Sequence, residues 1–287
     1  MEEYYFLFLI AFVYTIFAAV QDLKEREVAN WLNFSLIAFA LAYRAIYSSY
    51  TGNYSFLLFG VLGFGVFFLI SNLLYYTKVF AGGDAKLLMA FGAILPFQSY
   101  LDLATLSLSF LFVLFFIGMI YGAIYSIFLA ATNKTKFSRE FREQFRKRKY
   151  LLLFSILGIA IIIAKSFGVL SYLPSWWFFA LLFIFMPLLY IYLEAVNRSC
   201  MIKIVDASKL TVGDWLEQNV KIGSKTIRKS VHGLSASEIK ALQKARKKVI
   251  VRYGIPFVPA FLLALIFMVF FFLVSGLDFQ SFFSSLF

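Results

Sequence analysis

Eight apolar runs govern what this chain can fold into. They lie at about residues 4–21, 31–50, 55–76, 85–99, 102–131, 150–170, 174–195 and 254–275. In a helix, about 20 apolar residues cross a hydrocarbon core of about 30 Å, and most of these runs reach that length. A segment in lipid must satisfy its backbone polar groups within a helix or a closed barrel. The runs lack the two-residue alternation of barrel strands, so helices are expected. Composition agrees: 62% of the 287 residues are hydrophobic and 15% are charged, and Phe alone occurs 38 times. Soluble domains are nearer half apolar and a quarter charged. The expected class is an all-α integral membrane protein, a polytopic helical bundle of about eight transmembrane helices with a small cytoplasmic region. The fourth run is short and ends at Pro96, so it is expected to pack inside the bundle rather than span alone. The amino end, MEEYYFLFLI, is acidic where a cleavable signal peptide would be basic, and reads as a retained helix.

Charge placement orients the helices. All of the 27 Lys and Arg residues except Arg44 and Lys165 fall in or beside four loops that follow odd-numbered runs. Lys24 and Arg26 sit in the first loop, and Lys78 and Lys86 in the second. The other two, 133–149 and 196–252, hold the rest. The positive-inside bias assigns that side to the cytoplasm and both termini to the outside. The outward segments carry Glu2, Glu3, Asp102 and Asp278. The net charge of +12 is thereby assigned to loops, and no nucleic-acid partner is expected. In 133–149, Phe137, Phe141 and Phe145 recur at helical spacing among cations. This suits an amphipathic helix on anionic membrane lipids, with a solvated basic linker as the alternative. Residues 196–252 suggest a short helix from Thr211 and a basic helix opened by a Ser235–Glu238 capping box. With only Cys200 and His232, an internal disulfide and a multi-cysteine zinc site are excluded, both residues read as bystanders, and no metal or cofactor is expected. Arg44 and Lys165 are expected to reach outward to headgroups, with pairing inside the bundle as the alternative for Arg44. Asn72, Tyr75 and Tyr76 are expected to bond between helices, and Trp176 and Trp177 to join an aromatic belt.

Two aspartates stand apart. Asp22 closes the first run, in AAVQDLKEREVANWLNF. Asp84 opens the fourth, in VFAGGDAKLLMAFGA. The charge pattern places both at one depth on one face. Two close carboxylates resist ionising together and share a proton. One then takes a proton from water as the water attacks a peptide carbonyl, and the other donates to the carbonyl oxygen. Gly82 and Gly83 would let the backbone turn sharply and a substrate strand approach. The simpler reading is that each aspartate only terminates a helix: Asp84 as a cap, Asp22 in solvent beside Glu25 and Glu27. Lys86 lies one turn inside, either tuning the pair or reaching the inner surface.

The motifs resemble those of the type IV prepilin peptidases and archaeal preflagellin peptidases, the GxGD membrane aspartyl proteases. Gly83, Asp84, Lys86, Leu87 and Leu88 match the second motif, with Ala81 where the first glycine is expected. Asp22, Arg26 and Asn30 match the first, with Ala29 in place of the usual proline. Pro256, Phe257 and Pro259 match the family's last helix. The resemblance implies an aspartic endopeptidase that trims short basic leaders from pilin-like or archaellin-like precursors. Its catalytic residues would be Asp22 and Asp84, supported by Ala81, Gly82, Gly83, Lys86 and Asn30. The cysteine tetrad linked with methylation in bifunctional members is missing, so no methyltransferase activity is expected. Six core helices are implied, with 150–195 as an added hairpin. The chain then divides into a catalytic membrane core (1–132), a basic loop (133–149), the hairpin (150–195), a cytoplasmic region (196–252) and a final helix with its outer tail (253–287). A transporter relaying ions through the two aspartates and a non-catalytic filament-assembly protein are the rival readings. Presenilin-like proteases share the two-aspartate logic, but Gln21 precedes Asp22 where a tyrosine is expected.

Overall fold

A computed structural model describes residues 2–167, 176–223, 225–230 and 233–274. Expectations for His232 and Asp278 lie outside the described residues, as do the side chains of Lys165, Trp176 and Trp177. The chain forms two compact units, Met1–Ala123 with Pro256–Phe287, and Ile124–Ile255.

The first unit is helical. It contains α1 (Tyr5–Glu25), α2 (Asn30–Thr51), α3 (Tyr54–Tyr76), α4 (Gly82–Ile94), most of α5 (Tyr100–Thr132) and the last helix, Val258–Val274. The helix starts and stops lie close to the apolar runs read from the sequence. Arg26, at φ 59°, ends α1, and its N–H bonds back to the Asp22 carbonyl at 3.0 Å. Gly52, at φ 72°, ends α2, and the Asn53 side chain accepts from Ser55 N–H to open α3. Buried Leu36, Phe67, Leu87, Leu88, Phe91, Phe110 and Phe261 fill the centre.

The short helix α4 is the innermost element, with Ala85, Leu87, Leu88 and the run from Ala90 to Ile94 all buried. Its 13 residues rise only about 20 Å, too little to cross a bilayer. Two glycines let it sit so deep. A Cβ on Gly63 of α3 would collide with the Gly92 carbonyl of α4, and a Cβ on Gly92 would meet the Gly63 carbonyl at 2.5 Å. Small residues at such crossings let helix backbones touch.

Where α4 stops, its last carbonyls have no helical donor. Arg44 of α2 supplies one. Its side chain is 0% exposed. Nε donates to Ala93 O at 2.8 Å, and Nη2 to Ile94 O at 3.3 Å and Leu95 O at 2.7 Å. Nη1 donates to Phe56 O at 2.7 Å. The guanidinium also lies 4.5 Å from the Phe56 ring centroid, and Gly60 leaves space for its stem. Arg44 therefore does not reach outward to headgroups as the sequence suggested. An unfinished helix end inside the protein is a stronger attraction than the interface. Asn72 also differs from expectation, because its amide bonds Phe68 O of its own helix at 2.7 Å.

The second unit holds the end of α5, α6 (Lys134–Lys147), α7 (Leu152–Ser166), α8 (Trp176–Cys200) and a small mixed region. The Phe137 ring meets Tyr192 of α8 at 5.6 Å, and Arg148 pairs with Glu194 at 3.1 Å. Part of the phenylalanine stripe therefore packs on protein. The mixed region corrects the all-α expectation. It contains β1 (Ile202–Asp206), β2 (Trp215–Leu216), β3 (Val220–Ile222), β4 (Lys225–Ile227), α9 (Ala236–Lys244) and β5 (Lys248–Arg252). The three-stranded sheet runs β1-β5-β2, all antiparallel, with Lys203 opposite Val251 and Trp215 opposite Arg252. β3 and β4 form a separate hairpin. Val249 and Val251 alternate inward toward Leu216, Ile239 and Leu242, as a half-buried strand requires. The helix expected from Thr211 is absent. The Asp214 carboxylate instead accepts the Thr211 N–H at 2.9 Å, closing a turn before β2. The capping box of α9 forms as expected, with Ser235 and Glu238 exchanging bonds. The helix stops at Lys244 because the following residues serve the central strand.

Four described helices are long and apolar enough to cross a membrane: Tyr5–Glu25, Tyr54–Tyr76, Tyr100–Thr132 and Ala180–Cys200. With α10 (Val258–Val274), the helices of the first unit present many apolar side chains outward, among them Leu9, Phe17, Leu69, Met119 and Phe270.

Replacing Arg44 should destabilise the protein more than any other single change in α2. Each buried carbonyl left without a donor costs about 1–3 kcal/mol, so Arg44→Met is expected to lose about 3 kcal/mol or more. Arg44→Lys, a point charge without the planar fork, should recover only part of that. Thermal unfolding in detergent checks the order.

Candidate functional site

Four helix ends of the first unit meet at one end of the bundle: the last turn of α1 and the first turns of α2, α4 and α10. They bring together residues far apart in sequence. Asp22 occupies the last turn of α1 and is buried. Its Oδ2 accepts the Val258 N–H, the first of α10, at 2.9 Å. A carboxylate at a helix N-terminus satisfies a free N–H and faces the positive end of the helix dipole. Pro259 follows, at a position where its missing N–H costs nothing. Asp22 therefore does not end its helix in solvent as the simpler reading held: it is buried and caps a different helix.

Asp84 is the third residue of α4 and half-buried. Its Oδ2 accepts the Ala81 N–H at 3.3 Å. Asp22 and Asp84 thus lie on two helix ends that meet at the same end of the bundle.

The loop between α1 and α2 shapes the floor. Ala29 N–H bonds the Gln21 side chain at 3.2 Å, folding the loop back on α1. Val28 is buried against the first turn of α4, where a Cβ on Gly83 would lie 3.3 Å from Val28 Cβ. Neither Gly82 nor Gly83 makes the sharp turn expected of it. Both belong to the helix, and the left-handed residue before it is Lys78, at φ 63°. Gly83 serves instead as a contact point. Lys86 Nζ donates to Asn30 Oδ1 at 2.5 Å and lies 5.8 Å from the Phe34 ring centroid, so it ties α4 to α2.

One contributor, Asn33, went unread in the sequence, and another, Phe257, was matched only as part of the last helix. Asn33, one turn beyond Asn30, is buried and donates from Nδ2 to the Gly83 carbonyl at 3.3 Å. Its spacing from Asn30 was the available signal. Phe257 packs on Phe80 at 5.3 Å and on Phe261 at 5.8 Å, and fills the notch above Gly118. Phe80 leads directly into Ala81–Asp84. The Phe257–Val258 pair thus touches the approaches to both aspartates. Among the described residues, no three His, Cys, Asp or Glu side chains group as a metal site would need. Cys200 is buried in the second unit with Sγ 3.4 Å from Leu129 O.

Residues 8–127 match the type IV leader peptidase family, in agreement with the resemblance carried by the two motifs. Among curated proteins, the chain is similar to the preflagellin peptidase of Methanococcus maripaludis, 35% identical over 34% of this chain and 44% of that protein. It is 29% identical to the preflagellin peptidase of Methanocaldococcus jannaschii over 31% of this chain and 38% of that protein. The preflagellin peptidase of Methanococcus voltae is also 29% identical, over 30% and 36% of the respective chains. The matched stretch spans less than half the length of these relatives. No solved structure matches the chain.

Phe257→Ala should leave a cavity between α5, α10 and the approach to α4. The expected cost is about 3 kcal/mol, within the usual range for losing a large packed aromatic. Thermal unfolding measures it, and limited proteolysis should show earlier cutting near the start of α10.

Proposed function

We propose, taking residues 8–127 as a region of the type IV leader peptidase family, that this protein is a membrane aspartic endopeptidase. In this reading it removes short basic leader peptides from archaellin-like or pilin-like precursors. The observation that carries the reading is the meeting of Asp22 and Asp84 at one end of the bundle, each held by a backbone N–H.

The chemistry follows from two carboxyls that resist ionising together. The ionised member accepts a proton from water as its oxygen bonds to the peptide carbonyl carbon. The neutral member donates to the carbonyl oxygen. Collapse of the tetrahedral adduct breaks the C–N bond, and the leaving nitrogen takes a proton from the pair. Asp22, tied to α10, and Asp84, tied to the start of α4, are the two groups. Gly83, Lys86 and Asn30 hold α4 against α2, and Ala81 and Gly82 form its opening.

Charge suggests how such a substrate is received. Glu25 and Glu27 are exposed beside the site and would attract a basic leader, while an apolar segment after the cut inserts beside the bundle. The skew of Lys and Arg supports a site at the cytoplasmic face, termini outside, and about eight membrane helices, six of them core and two an added hairpin. Cations along α6, with Phe145 exposed among them, suit contact with anionic lipids.

Co-expression with an archaellin or pilin precursor tests the reading. The unaltered chain should shorten the precursor. Asp22→Asn and Asp84→Asn should each lower the rate by about 10²–10⁴-fold, the usual worth of a positioned acid or base, while remaining in the membrane. Processing at full rate by either variant would overturn the assignment. Charge reversal at Glu25 and Glu27 should slow cleavage of a basic leader and spare a neutral one.

A further inference from the structure

Asn33 is the buried polar residue beside the site that the peptidase chemistry leaves unused. It is 1% exposed. Its amide nitrogen is spent on the Gly83 carbonyl, the residue before Asp84. Its Oδ1 has no hydrogen-bond partner among the described residues. Buried polar atoms are rarely left so, because an unmade hydrogen bond costs about 1–3 kcal/mol. A leucine at this position would fill similar volume without that cost. The cost sits where α2 and α4 begin, against the turn that presents Asp84. Water is the smallest group that satisfies such an acceptor, and an ordered water needs two to four polar partners. A water on Asn33 Oδ1 would find its next polar partner in Asp84, the residue that follows the Gly83 carbonyl Asn33 holds.

We propose that Asn33 is a positioning residue of the aspartate site: its amide nitrogen fixes the Gly83 carbonyl, and its Oδ1 accepts a hydrogen from a water that bridges it to the Asp84 carboxyl. This rests on the peptidase reading, since the water so placed is the one the pair activates. The amide changes no charge and takes no proton. It sets where the water stands, so its effect belongs to turnover rather than to substrate binding. The polar contacts of α2 then divide in function. Arg44 holds the far end of α4, Asn30 ties its flank through Lys86, and Asn33 orders its reactive end.

The test uses the full-length protein in detergent or liposomes with a precursor substrate, reading kcat, KM and thermal unfolding together. Asn33→Leu should lower kcat at least 10-fold and leave KM within about 2-fold, with only a small change in unfolding temperature, because a single neutral hydrogen bond to protein is lost while an apolar side chain of similar volume fills the site. Asn33→Asp keeps an oxygen acceptor and should recover part of the rate. Its added carboxylate should also shift the pH–rate profile of the pair. An Asn33→Leu variant with unchanged kcat overturns the proposal. So does one whose loss of rate comes with a matching loss of thermal stability, which would mark a purely structural amide. Failure of the peptidase reading looks different: the unaltered chain and Asp84→Asn would then process the precursor equally, or not at all.

Discussion

The structure depends on a helix that stops inside it. α4 has 13 residues, and its carbonyl end lies buried among helices that continue past it. In lipid or in a packed interior, those carbonyls have no water to turn to. Arg44 answers them with three bonds to Ala93, Ile94 and Leu95 and one to Phe56. A lysine offers one compact ammonium, while a guanidinium offers a planar fork that meets several carbonyls at once. With its far end fixed, α4 can stop part-way through the bundle while its first turn stays at the bundle's end. That first turn carries Asp84 and packs against the loop that follows Asp22, through Val28 and Gly83.

The other half of the site depends on the last helix. Asp22 is 236 residues from Val258 in sequence, yet they share a hydrogen bond. Capping a helix from another helix is a demanding arrangement, because both axes must be fixed to keep a carboxylate near one N–H. Phe257 supplies the fixing, seated against Phe80, Phe261 and the bare backbone of Gly118. The ring that anchors α10 also buttresses the segment entering α4. One packing cluster therefore constrains both aspartates, and neither position can relax without disturbing the other.

Some of this was legible before any coordinates. Helix positions followed from apolar run length, since in a bilayer length is nearly the only requirement a span must meet. Asp22 and Asp84 were singled out by charge placement and motif. Arg44 was misread because hydropathy treats each helix alone, and a charged residue in an outer half ordinarily reaches for headgroups. Its real partner is the end of another helix, which no single-segment pattern encodes. The sheet was missed for a related reason. IKIVD and KVIVR are five-residue strands separated by 41 positions, and each is too short, with two charged residues in five, to stand out in a chain dominated by apolar runs. Asn33 was overlooked because one asparagine near a helix start looks like an exposed cap, whereas here a neighbouring helix covers it.

The arrangement also bears on the chemical role proposed for the two aspartates. A carboxylate that only capped a helix would gain most from an exposed N-terminus with solvent to share its charge. Asp22 is buried instead, and a second acid, Asp84, lies in a first turn at the same end of the bundle. Bringing two like charges together in a poorly solvated place costs stability. Either helix end could have been closed by Ser, Thr or Asn without that cost. Strain of this kind, kept in place by a capped half-helix, an aromatic anchor and a buried amide, is what a site that must hold a proton between two acids requires.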